Sequence, residues 1–240
     1  MTRAQPTPSI PPRPPLLLRV VGTVVVLAGL VATAVLLWQL WWTDVRAESR
    51  SEALVTSLRQ DFDSLAAEGP RADQSAATSQ EPALGRPTGA IIHLSTLGEV
   101  HPVLPGVGAD VLDQGVLGRY PGSAGPGEVG NFAVAGHRTT YGRPLWAMGE
   151  LEEGDPVVVE TAEAYHVYVV RRLRVVDPES AEVLAPTPDR PGAAATEPWM
   201  VLTTCHPRFS AKERLIGYAA LERSVPRSAG PPPELEVGLG

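Results

Sequence analysis

The chain is predicted to fold mainly as β structure, a closed barrel or sandwich of short strands, preceded by one membrane-spanning helix and a stalk that is first helical and then flexible. Three observations lead there. Between residues 90 and 223 the apolar residues fall in short Val-, Ile-, Leu- and Tyr-rich runs punctuated by Gly and Pro, the pattern of strands and turns. The same stretch has almost no helical periodicity, apart from a turn near residues 144–148. Upstream, residues 20–42 are almost wholly apolar and lie between Arg19 and Asp44.

The elements follow in order. Residues 1–19 begin rich in Pro and Thr, with Arg3 and Arg13, and read as a disordered cytoplasmic tail. Residues 20–42 would span about 35 Å as a helix, enough to cross a hydrocarbon core with some tilt. Trp38, Trp41 and Trp42 mark its headgroup end. A cleaved signal peptide is the competing reading, but the small residues Ala32-Thr33-Ala34 sit in mid-segment with more apolar sequence after them. Arg3, Arg13 and Arg19 on one side nearly balance Arg46, Arg50 and Arg59 on the other. The short leading tail and the large trailing domain therefore set the expected orientation: a single-pass cell-membrane protein, N-terminus cytoplasmic, domain extracytoplasmic.

Residues 43–65 read as a charged helix with Leu54, Leu58, Phe62 and Leu65 on one stripe, a stalk whose stripe is too short to claim as a dimer seam. It runs into a flexible Ala-, Gly-, Ser-, Pro- and Gln-rich linker, so that residues 43–89 together form the expected stalk and linker. Within the domain at 90–223, strands are expected at 90–94, 99–104, 131–135, 155–161, 164–176, 199–204 and 214–221. Residues 224–240, with Pro231, Pro232 and Pro233, read as a second loose tail.

Composition excludes several functions. A net charge of -7 leaves no basic face to neutralise phosphates, so no nucleic-acid partner is expected. There is no glycine-rich phosphate loop and no carboxylate-rich metal loop, so neither a metal nor an organic cofactor is expected. Cys205 is the single cysteine, which rules out an intramolecular disulfide. A lone thiol is either a small buried core residue or a reactive group, and its neighbours must decide.

Those neighbours form three stretches: Gly130-Asn131-Phe132-Ala133-Val134-Ala135-Gly136-His137-Arg138, then Val201-Leu202-Thr203-Thr204-Cys205-His206-Pro207, then Arg214. A thiol attacks an amide only as thiolate, the attack builds an oxyanion, and the departing amine needs a proton. A cysteine, a cation and a histidine meet these needs. Strand alternation aims His206 away from Cys205 and Arg138 away from His137, yet the break at Pro207 keeps His206 open as the histidine, and Arg138 is the alternative cation. His93, His101 and His166 lie within expected strands, where satisfied or exposed roles are the default.

As a set these motifs resemble the sortases, most closely the class E sortases of actinobacteria, over residues 90–223. The resemblance implies a closed eight-stranded sortase-type β-barrel with catalytic Cys205, His137 and Arg214. It also implies substrate contacts at Thr203, Thr204, Tyr120 and Asn131, each of which has a purely structural reading as well. The implied reaction cleaves an LAXTG- or LPXTG-like C-terminal sorting signal between Thr and Gly through a thioester on Cys205. An amine acceptor, a peptidoglycan precursor or a pilin lysine, then takes the acyl group. The partners would be secreted proteins bearing such a signal, and the Pro- and Ala-rich segment at 177–198 would contact them. Two other readings share the sequence: a membrane-tethered cysteine hydrolase without transfer, and a non-catalytic anchored binding module.

Overall fold

The structure, a computed structural model, describes residues 16–68 and 89–235. Residues 1–15, 69–88 and 236–240, which hold most of the expected tails and linker, lie outside the described residues. The chain divides into two compact units, residues 1–42 and 43–240. Helix α1 (Leu16–Glu68) supplies the described part of the first and opens the second. It begins inside the expected leading tail, because Leu16, Leu17 and Leu18 are good helix formers continuous with the apolar run.

In the first unit, Val20, Val24, Leu30 and Val31 are all more than half exposed. Among the described residues no helix is long and apolar enough to cross a membrane, so the expected span at 20–42 remains an expectation.

In the second unit, residues 43–68 of α1 are not a free stalk. Val55, Leu58 and Phe62 recur at helical spacing and are buried against Ile91 of the barrel, while Leu54 and Leu65 are half-buried. The barrel comprises β1 (Ala90–Leu94), β2 (Glu99–Pro105), β3 (Leu117–Arg119), β4 (Gly130–Ala135), β5 (Pro156–Glu160), β6 (Ala164–Val176), β7 (Pro198–His206) and β8 (Glu213–Pro226). A short helix, α2 (Ala109–Leu112), precedes β3. The strands close in the order β1-β2-β3-β4-β7-β8-β6-β5, with β5 pairing back to β1. Most neighbours are antiparallel, but β2·β3 and β4·β7 are parallel.

Alternation sorts the side chains into two layers. Ile92, Phe132, Val134, Val157, Tyr168, Met200, Leu202 and Leu215 fill the barrel interior. Ala133, Val201, Ile216 and Tyr218 point outward on β4, β7 and β8, yet they too are buried, because the segment between β6 and β7 covers them with Val183 and Leu184. The face carrying Arg214, Ile216 and Tyr218 is therefore apolar for part of its length. An Asp189 clamp pins this cover: its carboxylate accepts from Arg172 (2.6 Å), Arg174 (3.0 Å) and the Tyr218 hydroxyl (3.1 Å).

Two expectations need correction. β3 was not expected: three residues centred on Gly118 show no alternation, and that glycine is required because a Cβ there would collide with the Gly106 carbonyl. The expected loose tail from residue 224 is ordered as far as residue 235. β8 continues to Pro226, Arg223 pairs with Glu234, and Val225 and Leu235 pack against Val158, Tyr165 and Val167.

Candidate active site

Three adjacent strands set the site. β7 runs antiparallel to β8 with Cys205 opposite Arg214, so both side chains leave the same outward face, with Cβ atoms expected about 5 Å apart. β4 runs parallel to β7 with Ala135 level with Thr203. The Gly136 N–H still donates to the Thr203 carbonyl at 3.1 Å, and carrying the register two residues on puts His137 level with Cys205. Carried two residues past the end of β4, the register thus aligns His137 with Cys205 on β7 and Arg214 on β8. Cys205 is partly exposed, as an attacking thiol must be.

Each member has its own support. His137 Nε2 lies 2.8 Å from Asp113 Oδ1, and its ring stacks on Tyr141 with centroids 5.2 Å apart. Arg214 donates through Nη1 to the carbonyls of Ala211 (3.1 Å) and Glu213 (3.0 Å) in the β7–β8 loop. Among the described residues its Nη2 and Nε have no acceptor, which leaves donors for an incoming oxygen. The alternatives fall on the other side. Arg138 is buried, and its Nη1 donates to the Cys205 carbonyl (3.2 Å) and to His206 Nδ1 (2.9 Å). His206 is therefore held by Arg138 behind the strand, as alternation predicts. Burial and the nearby charge of Arg208 pull the Arg138 guanidinium below its ordinary value, while a thiolate at Cys205 acts in the opposite sense.

A sortase-domain family model matches residues 92–222. The chain belongs to the sortase family. Sortase SrtE1 of Streptomyces coelicolor is 35% identical over 224 residues, which is 90% of this chain but 60% of that protein, so the chain spans less than two thirds of that relative. Among solved structures, the crystal structure of sortase E1 from Streptomyces coelicolor with a tripeptide in the active site is 37% identical, with a TM-score of 0.57. It covers 61% of this chain and 94% of that one. The SrtA sortase from Actinomyces oris is 35% identical over 68% of this chain and 94% of that one, with a TM-score of 0.59. The class E-like resemblance and the closed eight-stranded sortase barrel hold.

The four residues expected to contact substrate behave differently from one another. Thr203 shares the outward face with Cys205; its hydroxyl lies 3.1 Å from the Tyr120 hydroxyl and donates to the Val134 carbonyl at 3.3 Å. Tyr120 and Asn131 line a groove of about 390 Å³ that also includes Ala133, Leu184 and Pro186. Asn131 is buried and ties down the groove wall, its Nδ2 donating to the carbonyls of Val183 (3.0 Å) and Ala185 (3.1 Å). Thr204 is the correction: it points to the face opposite Cys205, and its hydroxyl donates to the Gly136 carbonyl at 2.8 Å. It fixes the turn into His137 rather than lining the groove.

Sequence reasoning missed Asp113 and Tyr141. Tyr141 sits in the Gly-His-Arg-Thr-Thr-Tyr-Gly run and could have been suspected, whereas Asp113 carries no motif at all. Both are backed by α1. Ala47, 2% exposed, lies against Gly115 and Gly142, where an added Cβ would come within 2.8 and 3.3 Å of its own Cβ. Gly115 also has a φ of +81°, so a side chain there is excluded by backbone and by space alike. Among the described residues no group of His, Cys, Asp and Glu is arranged to hold a metal.

Proposed function

We propose that this chain is a membrane-anchored class E-like sortase that cleaves a C-terminal sorting signal between Thr and Gly and transfers the acyl group to an amine. One feature supports the reading: the strand register brings the thiol on β7 and the guanidinium on β8 level with the imidazole just past the end of β4, on the outward face that also carries a groove lined by Asn131 and Ala133. Cys205 attacks the Thr carbonyl as thiolate, Arg214 offers donors to the oxygen, and His137 protonates the departing amine. The thioester then yields to an amine, a cell-wall precursor or a pilin lysine.

A tripeptide occupies the active site of the Streptomyces coelicolor sortase E1 crystal structure. The groove between Tyr120 and Leu184 offers this chain a place for the segment before the scissile bond. The family resemblance favours an LAXTG-like signal. The apolar run at 20–42, with exposed Val, Leu and Trp38 side chains, supports an anchor that keeps the domain outside the membrane.

The test incubates the full chain in detergent with LAXTG- and LPXTG-type peptides, with and without an amine, following ligation by mass spectrometry. Amine-dependent ligation that disappears in Cys205→Ala is the expected result. Hydrolysis indifferent to every amine would replace transfer by a tethered hydrolase. A Cys205 thiol inert to alkylation in the folded chain would leave an anchored binding module.

A further inference from the structure

His137 makes one side-chain hydrogen bond within the described structure, to Asp113 Oδ1 at 2.8 Å through Nε2. An ionised carboxylate can only accept, so Nε2 must carry the hydrogen. In the neutral ring that leaves Nδ1 as the nitrogen with the lone pair. Tyr141, stacked on the same ring at an interplanar angle of 29°, restrains rotation about the remaining axis. We propose that Asp113 is a positioning residue, holding His137 in the Nε2–H tautomer so that Nδ1 is the atom that exchanges protons with substrate. The inference rests on the sortase reading of Cys205 and His137.

The chemistry balances with this assignment. In acylation the Cys205 thiolate supplies the electron pair for the new C–S bond. As the scissile C–N bond breaks, the imidazolium gives its Nδ1 proton to the departing amine and keeps Nε2–H on Asp113. In the second half the incoming amine forms the new C–N bond, its proton passes to Nδ1, and the C–S bond breaks to return thiolate and imidazolium. One fixed hydrogen bond therefore serves both halves, and the ring need not flip between them.

The setting of Asp113 favours orientation over structural support. Its side chain is 36% exposed and that of His137 27%, so the pair contributes little to folding. The backbone of Asp113 is nevertheless fixed: its N–H closes α2 onto the Ala109 carbonyl, and Gly115, two residues on, is pressed against Ala47. Two groups touch the ring: Asp113 after α2 and Tyr141 in its own loop. Arg138 is turned to the opposite face.

The test uses the full chain with isotopically labelled histidine, where ring carbon and nitrogen shifts distinguish the tautomers and His137→Gln identifies the signal. The Nε2–H form should dominate in the parent and in Asp113→Glu, and give way to a mixture in Asp113→Ala. With an LAXTG-type peptide, kcat in Asp113→Ala should fall roughly 10-fold at nearly constant KM. Asp113→Glu should restore much of the lost kcat. An unchanged tautomer ratio in Asp113→Ala overturns the proposal. A parent chain that shows the Asp113-dependent tautomer but turns over no peptide sustains the positioning role while counting against the sorting-signal reading.

Discussion

Replacing Glu160 by Gln should uncouple α1 from the barrel. Glu160 ends β5 and is 3% exposed, yet three charged or titratable side chains from elsewhere in the chain converge on it. Its Oε2 takes His93 Nε2 at 2.9 Å and lies 3.5 Å from Arg59 Nε of α1; its Oε1 takes Arg227 Nη1 at 2.8 Å. Arg227 in turn reaches Asp63 of α1 at 2.8 Å. Burial pushes the Glu160 carboxyl upward, but the hydrogen bonds from His93 and Arg227 and the charge of Arg59 outweigh it, holding the group at about 2 against an ordinary 4.5. At roughly 1.4 kcal/mol for each tenfold change in proton affinity, that depression corresponds to about 3 kcal/mol of stability. Since the folded carboxyl binds its proton more weakly than the unfolded one, this stability is complete above pH 4.5 and is lost as pH falls towards 2. Urea denaturation should therefore separate the parent chain from Glu160→Gln by about 3 kcal/mol at pH 7 and by about half of that or less at pH 3. A gap below about 1 kcal/mol at pH 7, or one equally large at both pH values, would refute the reasoning.

Two other predictions concern the surroundings of the site. Ala47→Leu should force α1 away from Gly115 and Gly142, costing about 1–3 kcal/mol in denaturation and lowering peptide turnover through Asp113 and Tyr141; an active, fully stable variant would remove α1 from the argument. The Tyr218 phenol, pushed up to about 12 by burial and by the Asp189 carboxylate, should titrate lower in Asp189→Asn, read by tyrosinate absorbance. Asn tolerates the left-handed φ of 62° at that position, so the change isolates the charge; an unmoved titration would mean that burial acts alone.

Much of the barrel was legible because strand signals are local. The Val- and Ile-rich runs of β1, β5 and β6 show their pattern within a few residues, and the observed bounds of β1 and β6 are those expected. β3 was hidden because its place depends on the Gly106 carbonyl passing over Gly118, a contact with no trace in a three-residue window. The ordered C-terminal segment was hidden for a similar reason: composition suggested a loose tail, but Arg227 gains its partners from β5 and α1. The stripe on α1 was read, and its destination was not, since an apolar helix face does not say which surface will cover it.

For the site, the sequence by itself determined the chemical types and suggested two of the directions. A lone cysteine after two threonines, a histidine after a glycine and a distant arginine specify a thiol, a proton carrier and a cation. Alternation along a strand pointed His206 away from the thiol and Arg138 away from His137 while leaving both open, and the structure turned both to the opposite face. Only the tertiary structure decided that the register aligns His137, Cys205 and Arg214, because the parallel pairing of β4 with β7 joins segments 68 residues apart. It also decided that Thr204 locks a turn, that Asp113 takes one nitrogen of the histidine, and that α1 backs the loops holding that ring. These are contacts between distant segments, and local patterning carries no information about which of them close.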